Sequence, residues 1–300
     1  MRSQTFTALL LAGIGLASGS TSLRLISYNI RYATTSPSAG EEPWAVRRPL
    51  MASQINFETA NRPETLVCMQ EVLNQQLVDL QSDLEKTWEH IGVGRNDGAQ
   101  AGEYSPILYQ ADTWQLERNK TYWLSETPDV VGSIGWDAAL PRIVTVAQFK
   151  HRTAGEPLIF MCTHFDHVGT VARKESAKLI IEIADEWKDQ GTNSTKPAPV
   201  FLGGDLNIEP TNEGYQTLVA PGGFKDIKDI VPKTHWYGNT KTTSTGFTTS
   251  TSDDKRIDYL FVRDPLDNQF LTYGVLSNRF EDGVYISDHR PVVVDAKLPA

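Results

Sequence analysis

The sequence predicts an α/β protein in which two largely mixed β-sheets are covered by helices. Eight short apolar runs, rich in Val, Ile, Leu, Phe and Tyr, are typical of strands. Three longer segments carry apolar residues at helical spacing. Strands therefore outnumber helices, and some neighbouring strands are too close for a crossover helix to lie between them. This combination favours mixed sheets.

The predicted strands share an abrupt change from apolar to polar residues at one end. In chain order they are LRLISYNI, TLVCMQEV, SPILYQ, RIVTVAQF, PLIFMCTHFDH, APVFLGGDLN, RIDYLFV and HRPVVVDAKL. The predicted helices are EPWAVRRPLMASQINFETANRP, which Pro63 ends, QQLVDLQSDLE and VARKESAKLIIEIADEWKDQG. No linker divides the chain, so we expect one domain over residues 20–300.

Residues 1–19 are predicted to be a secretory signal peptide. Arg2 precedes an apolar run over residues 6–17, and small residues follow. The run is too short to span a bilayer, and no later segment has the ~20 apolar residues that a transmembrane helix requires. A membrane anchor or a buried N-terminal helix is the alternative. We expect a secreted, extracellular monomer without a membrane span.

The charge balance argues against a broad nucleic-acid surface. Removing residues 1–19 takes away Arg2 and leaves 27 basic and 37 acidic residues, a net charge of −10. No basic patch is evident, and such a patch supplies most non-specific affinity for nucleic acids. Nucleic acid is still open as a substrate, because a metal ion would change the field within the site.

Three further features concern secretion and surface loops. Cys68 and Cys162 lie inside apolar runs, and we expect two buried thiols, with a disulfide as the alternative. Asn119 and Asn193 each begin an N-glycosylation sequon. The Thr-rich segment TKTTSTGFTTSTSDDK is expected to be either a binding loop or solvated surface.

Polar side chains that can perform chemistry close the predicted strands. They are Asn29, Glu71, His164, Asp166, Asp205, Asn207, Asp258, Asp288 and His289. One such residue would be an ordinary turn or cap residue, but the repetition predicts a cluster if the strand ends converge. Carboxylate and amide oxygens suit Mg²⁺ or Mn²⁺, whereas the absence of Cys ligands and of a His-x-x-x-His pair disfavours zinc. With imidazoles for proton transfer, the pattern predicts hydrolysis of a phosphate ester.

Seven motifs relate the chain to a known family. SYNIR, MQEV, GEYSPILY, THFDH, GGDLNIEP, RIDYLF and SDHRPV occur in the order found in the endonuclease/exonuclease/phosphatase family. The chain resembles this family from about residue 23 to residue 298. The resemblance implies a deoxyribonuclease-I-like fold, a four-layered α/β sandwich of two mixed β-sheets packed face to face with helices outside.

The resemblance also implies a metal site and a catalytic centre. Glu71 would be the main ligand of Mg²⁺, for which Mn²⁺ can substitute, with Asn29 beside it and Asp288 at the metal or just behind it. Asp205 would orient or deprotonate the attacking water, and Asn207 would hold a phosphate oxygen.

Two imidazoles complete the implied centre. His289 would contact the scissile phosphate, oriented by Asp258, and His164 would be the second imidazole with Glu103 as its carboxylate partner. Arg142 matches a family arginine that binds phosphate or holds the site together; the alternative is a surface arginine at a strand start.

Five other residues are left with two interpretations. Trp123, Trp136 and Asp137 either line the cleft or, for the two tryptophans, cover the edges of the core. Arg95 and Asp97 in GRNDG either reach a substrate or build a tight turn.

The sequence therefore predicts a secreted, Mg²⁺-dependent phosphoesterase. An activated water would attack the phosphorus of a mono- or diester directly, without a covalent enzyme intermediate. The alternative is a secreted nuclease that hydrolyses the phosphodiester bonds of DNA or RNA. A non-catalytic binding protein on the same fold is disfavoured because Glu71, Asp205, Asn207, Asp258 and His289 are all present.

Overall fold

Two stacked β-sheets with helices on their outer faces form the fold. A computed structural model describes residues 20–84, 87–189, 198–265 and 269–298. The proposed signal peptide and the sequon at Asn193 lie outside the described residues, whereas Asn119 is exposed. No helix in the described part of the chain is long and apolar enough to cross a membrane.

The helices and strands alternate irregularly along the chain. The strands are β1 (Thr21–Asn29), β2 (Thr65–Gln70), β3 (Trp88–Ile91), β4 (Ile107–Gln110), β5 (Trp114–Trp123), β6 (Ile143–His151), β7 (Pro157–His164), β8 (Val200–Asp205), β9 (Lys225–Asp226), β10 (Trp236–Gly238), β11 (Asp258–Arg263), β12 (Phe270–Val275) and β13 (Val292–Leu298). The helices are α1 (Trp44–Thr59), α2 (Asn74–Asp83), α3 (Thr170–Asp189), α4 (Glu213–Leu218) and α5 (Ile227–Ile230).

Both sheets are mixed. The first sheet has the strand order β10-β12-β13-β1-β2-β4-β3, and the second has the order β5-β6-β7-β8-β11-β9. Strand β1 pairs parallel with β2 and antiparallel with β13. Strand β8 likewise pairs parallel with β7 and antiparallel with β11. The predicted sandwich of two mixed sheets is confirmed.

The central strands are buried on both faces, which explains their continuous apolar sequences. Leu66 of β2 and Phe160 of β7 belong to the core between the sheets. Val67, next to Leu66, packs in the core under α1 and α2. Met161, next to Phe160, packs in the core under α3. Successive side chains of a strand point to opposite faces, so both faces of these strands require apolar residues.

The two cysteines form a disulfide, and the expectation of two buried thiols was wrong. Cys68 of β2 and Cys162 of β7 occupy facing positions in the core between the sheets, with their Cα atoms 5.2 Å apart. Gly203 of β8 lies against this bond, because a Cβ added to it would come within 3.1 Å of the Cβ of Cys68. Glycine therefore permits the close approach of the sheets at this point.

Candidate active site

The candidate site lies where strands of both sheets end at the same edge of the sandwich. Asn29 ends β1, Glu71 follows β2, His164 ends β7 and Asp205 ends β8. Asp258 begins β11, which runs antiparallel to β8 and places this residue opposite Asp205. The structure thus brings these strand-end residues together.

The centre of the site joins the two sheets through a side-chain amide. The Nδ2 atom of Asn29 donates hydrogen bonds to Glu71 Oε1 and to Asp205 Oδ2, both at 2.9 Å. Its Oδ1 atom accepts a hydrogen bond from the backbone N–H of Arg31 at 3.0 Å. Asn29 is fully buried and holds the two carboxylates at a fixed separation.

Two residues of the site have a left-handed backbone. The φ angles are 61° at Glu71 and 54° at Asn207. Asn tolerates this conformation, whereas a non-Gly residue such as Glu adopts it rarely, often at functional sites. The backbone N–H of Asn207 also donates to Asp205 Oδ1 at 2.8 Å, which closes a tight turn. The turn thus fixes one oxygen of Asp205.

His289 lies between two carboxylates. Its Nδ1 atom is 2.8 Å from Asp258 Oδ2, and its Nε2 atom is 3.8 Å from Asp205 Oδ2. Burial by itself lowers the pKa of His289, but the charges of Asp258 and Asp205 outweigh burial and raise that pKa well above its usual range. Burial and the charge of Asp258 raise the pKa of Asp205 to about 7.

His164 lies on the other side of Asp205, with arginines near it. Its Nε2 atom is 2.9 Å from Asn207 Nδ2 and therefore accepts a hydrogen bond, which places the ring proton on Nδ1. Burial, followed by the charges of Arg142 and Arg95, lowers the pKa of His164 well below its usual range. His164 is therefore neutral at physiological pH.

The predicted pairing of Glu103 with His164 is only partly observed. Glu103 Oε2 lies 3.8 Å from His164 Nδ1, which is beyond hydrogen-bond distance. The close partner of Glu103 is Arg95, whose NH2 atom donates to Oε1 at 2.8 Å. Arg95 is buried, so the interpretation that it only builds a turn is incomplete.

Arg142 belongs to the site and is not a surface arginine. It is 4% exposed. Its Nε atom donates to Asp166 Oδ2 at 3.3 Å, and its NH2 atom lies 3.0 Å from His167 Nδ1. Its NH1 atom is buried and has no hydrogen-bond partner among the described residues. A buried guanidinium nitrogen without a partner is suited to an anionic ligand.

Asp288 lies beside the centre, next to His289. Burial raises the pKa of the Asp288 carboxyl, although the charge of His289 opposes this effect. Ser287, which the sequence analysis did not single out, donates from Oγ to the carbonyl oxygen of Asn29 at 2.7 Å and accepts from the N–H of His289 at 3.2 Å. Arg31, also missed, lies 3.9 Å from Glu71 Oε2. Ser287 lies in the motif SDHRPV and Arg31 lies in the motif SYNIR, and this position could have identified both as site residues.

The remaining candidates mainly support neighbouring loops. Trp123 is buried and donates from Nε1 to the carbonyl oxygen of Arg95 at 2.7 Å. Asp137 accepts from the backbone N–H groups of residues 171 and 172 at the start of α3. Asp97 accepts from residues 99 and 101 and builds the predicted turn. Trp136 is half-buried, with a φ of 51°.

The donor atoms fit a divalent cation. Two groups of side chains have ligand atoms within 4.8 Å of one another: Glu71 with His164 and Asp205, and Asp205 with Asp258 and His289. Carboxylate oxygens of Glu71 and Asp205 therefore lie close enough together to share one ion. Oxygen-rich sites of this kind suit Mg²⁺ or Mn²⁺.

Comparisons with known proteins show the family of the chain. The model of the Endonuclease/Exonuclease/phosphatase family matches residues 26–289. The chain belongs to this family. It is accordingly a hydrolase of phosphoric ester bonds. No curated protein sequence matches the chain.

Solved structures of the same fold cover most of this chain's length. An endonuclease/exonuclease/phosphatase from Bacteroides vulgatus is 32% identical, with a TM-score of 0.81 over 93% of this chain and 100% of that one. A mannosyl-6-phosphatase from Bacteroides thetaiotaomicron is 33% identical, with a TM-score of 0.78 over 91% and 98%. The D. rerio TDP2 complexed with single strand DNA product is 15% identical, with a TM-score of 0.65 over 92% and 98%, and shares the fold.

Proposed function

We propose that this family member is a secreted, Mg²⁺-dependent phosphatase that hydrolyses phosphate monoesters carried on sugars. The observation that carries the proposal is the position of the Asp205 carboxylate between His164 and His289, whose Nε2 atoms lie 3.6 and 3.8 Å from Asp205 Oδ2. The mannosyl-6-phosphatase at 33% identity supports a sugar phosphate as the substrate class. The buried disulfide supports secretion, because such bonds persist mainly in oxidising compartments.

Glu71 is the proposed main ligand of Mg²⁺, with Asp288 and Asn29 beside it. When bound, the ion supplies Lewis-acid stabilisation of the phosphate and lowers the pKa of a coordinated water. In the structure Asn29 presents its amide nitrogen to the carboxylates, so it acts here as their clamp. It would have to rotate its amide group to offer an oxygen.

Asp205 is the proposed base for the attacking water. Its Oδ1 atom is held by the N–H of Asn207, and its Oδ2 atom accepts from Asn29. Burial and the charge of Asp258 raise the pKa of Asp205 to about 7, so the carboxylate is a stronger base than an exposed aspartate. A base whose pKa lies near the working pH is suited to proton transfer.

His289 is the proposed cationic contact to the phosphate. Its Nδ1–H is directed to the buried Asp258, which leaves Nε2–H on the side of Asp205 for a phosphate oxygen. Asn207 donates from Nδ2 both to His164 and to the carbonyl oxygen of Phe165 at 3.0 Å. Because an amide nitrogen has two protons, Asn207 must exchange one of these bonds to hold a phosphate oxygen.

The proposal is tested with a metal-supplemented substrate panel on the purified chain. The panel contains mannose 6-phosphate, p-nitrophenyl phosphate, bis-p-nitrophenyl phosphate, single- and double-stranded DNA, and RNA. We expect the monoesters to be hydrolysed fastest, EDTA to abolish the activity, and Mg²⁺ or Mn²⁺ to restore it. Faster hydrolysis of DNA or RNA would favour the nuclease alternative, and hydrolysis of nothing in the panel would favour a binding protein. Activity that resists EDTA would exclude the proposed metal.

A further inference from the structure

A second polar cavity lies directly beside the candidate active site. Residues 245 and 248–251, Asp254, residues 277–279, Tyr285 and Arg290 line a volume of about 270 Å³, which we call the Thr-loop pocket. The N–H of Thr245 donates to the carbonyl oxygen of Asp288 at 2.8 Å, and Ser244 forms a β-bridge with His289. The pocket wall is therefore bonded to the backbone that carries two site residues.

The lining of the Thr-loop pocket is rich in hydroxyl groups. Thr248, Thr249, Ser250 and Thr251 belong to the Thr-rich segment and are exposed. Ser277 adds another hydroxyl, which already donates to the carbonyl oxygen of Arg279 at 2.6 Å. The hydroxyl of Thr248 accepts from the N–H of Ser250 at 3.1 Å. The donor and acceptor capacity that is left matches the hydroxyl groups of a sugar or polyol.

Two arginines give the pocket a positive charge. Arg279 donates from Nε to the carbonyl oxygen of Gly283 at 2.9 Å and lies over the ring of Tyr285, 5.3 Å from its centroid. Arg290 donates from NH1 to the carbonyl oxygen of Thr242 at 3.2 Å, and its buried Nε has no partner among the described residues.

Neither arginine forms an ion pair within the described part of the chain. Every ion pair found there within 4.0 Å involves other cations. Asp254 is the one carboxylate among the lining residues, whereas two of them are arginines. The lining therefore has a net positive charge, although the net charge of the whole chain is −9. A guanidinium with free donors in a water-accessible cavity is suited to a carboxylate or phosphate.

We propose that the Thr-loop pocket binds an anionic, polyhydroxylated group. A sugar acid and the second phosphate end of a sugar bisphosphate are groups of this kind. The arginines bind its anionic part and the hydroxyl groups bind its polyol part. The group belongs either to the substrate, in which case the inference rests on the proposed function, or to a separate molecule that binds beside the site.

Binding is measured first, by calorimetry of the full chain with gluconate. We expect the wild-type protein to bind gluconate and Arg279→Ser to weaken binding by about ten- to a hundredfold, the range for one charge-assisted hydrogen bond. Thr249→Val should weaken it by a few-fold. Arg62→Ser, at an exposed arginine outside the pocket, is the matched control and should bind as the wild type does. No binding by the wild type, or equal binding by Arg279→Ser, would overturn the proposal.

Kinetics then separate the two sources of the group. If it belongs to the substrate, Arg279→Ser lowers kcat/KM for fructose 1,6-bisphosphate relative to p-nitrophenyl phosphate by about tenfold or more, and gluconate competes with the bisphosphate. If a separate molecule binds, gluconate changes kcat for p-nitrophenyl phosphate in the wild type but not in Arg279→Ser.

The two proposals fail in different ways. A chain that binds gluconate through Arg279 but hydrolyses no phosphate ester would contradict the proposed function and retain the pocket. A chain that hydrolyses sugar phosphates with no dependence on Arg279 and no affinity for gluconate would support the proposed function and contradict the pocket.

Discussion

The two histidines of the site differ in charge although both are buried beside Asp205. His164 Nε2 and His289 Nε2 lie 3.6 and 3.8 Å from Asp205 Oδ2. The carboxylates around His289 raise its pKa against the effect of burial. Around His164, burial is reinforced by Arg142 and Arg95, and the pKa falls. Burial alone therefore does not decide the charge of an imidazole; the neighbouring charges do.

The carboxylate partners explain this difference. Asp258 is fully buried and forms its side-chain hydrogen bond with His289. Glu103, the corresponding carboxylate near His164, is bonded to Arg95 instead. Asp258 thus stabilises the protonated form of His289, whereas His164 is a neutral acceptor of a hydrogen bond from Asn207.

The largest loss of catalytic activity is expected from replacing Asp205 or His289. Asp205→Asn removes the proposed base, and His289→Ala removes the proposed cation; each should lower kcat/KM by about 10³-fold or more. The rate of phosphate release measures the loss, and circular dichroism checks that the fold is intact. Retained turnover in either folded variant would contradict the proposed mechanism.

A smaller loss is expected from Asp258→Asn. The amide keeps the shape of the side chain but removes the charge that raises the pKa of His289. We expect kcat to fall by about a hundredfold, within the range of general acid–base contributions. Titration of the His289 ring by NMR should show a lower pKa than in the wild type. An unchanged pKa would mean that Asp258 is not the source of the charge.

His164 is expected to contribute less, through orientation of Asn207. His164→Gln retains an acceptor for the Nδ2 group of Asn207, whereas His164→Ala does not. We therefore expect about five- to tenfold lower kcat/KM for the alanine variant, since a hydrogen bond of this kind contributes about 1–1.5 kcal/mol, and a smaller loss for the glutamine variant. Equal and large losses in both would indicate that the imidazole itself takes part in proton transfer.

The smallest catalytic effect, with a large effect on stability, is expected from the disulfide. Replacing Cys68 and Cys162 together by Ala removes the bond between β2, which leads to Glu71, and β7, which ends at His164. Because the cysteines are 94 residues apart, the free energy of unfolding should fall by about 2–5 kcal/mol. Urea denaturation measures the change, and the residual activity at low temperature should stay within about tenfold of the wild type. Unchanged stability would show that the packing of the sheets suffices without the bond.

Most of the buried strands and the strand-end residues were predictable, and most contacts between distant segments were not. The eight predicted strands and three predicted helices are all present. Their buried side chains pack in the hydrophobic cores, and this burial requires a clear apolar pattern in the sequence. Strand β5 was missed since its sequence, WQLERNKTYW, alternates between half-buried and exposed residues with little apolar content. Strand β9 has two residues, too few for a pattern.

In the site, the residue types and the pairing of Asp258 with His289 could be predicted, but the other pairings could not. Motifs identified Asp258 and His289, and the structure joins them at 2.8 Å. The bond between Arg95 and Glu103 forms within the loop between β3 and β4. The bond between the cysteines depends on how the two sheets are stacked, which no local pattern specifies. The left-handed backbone of Glu71 likewise has no sequence signal, because Glu is not a residue that favours it.

Gly203 has a consequence for the geometry of the centre. Asp205 follows two residues later on β8, and its bond to Asn29 connects one sheet to the other over 2.9 Å. Packed sheets are usually about 10 Å apart, whereas the Cα atoms of Cys68 and Cys162 are 5.2 Å apart. A glycine at position 203 leaves room for the disulfide, because an added Cβ would come within 3.1 Å of the Cβ of Cys68. The small residue at position 203 therefore lets β8 lie close to β2 two residues before Asp205.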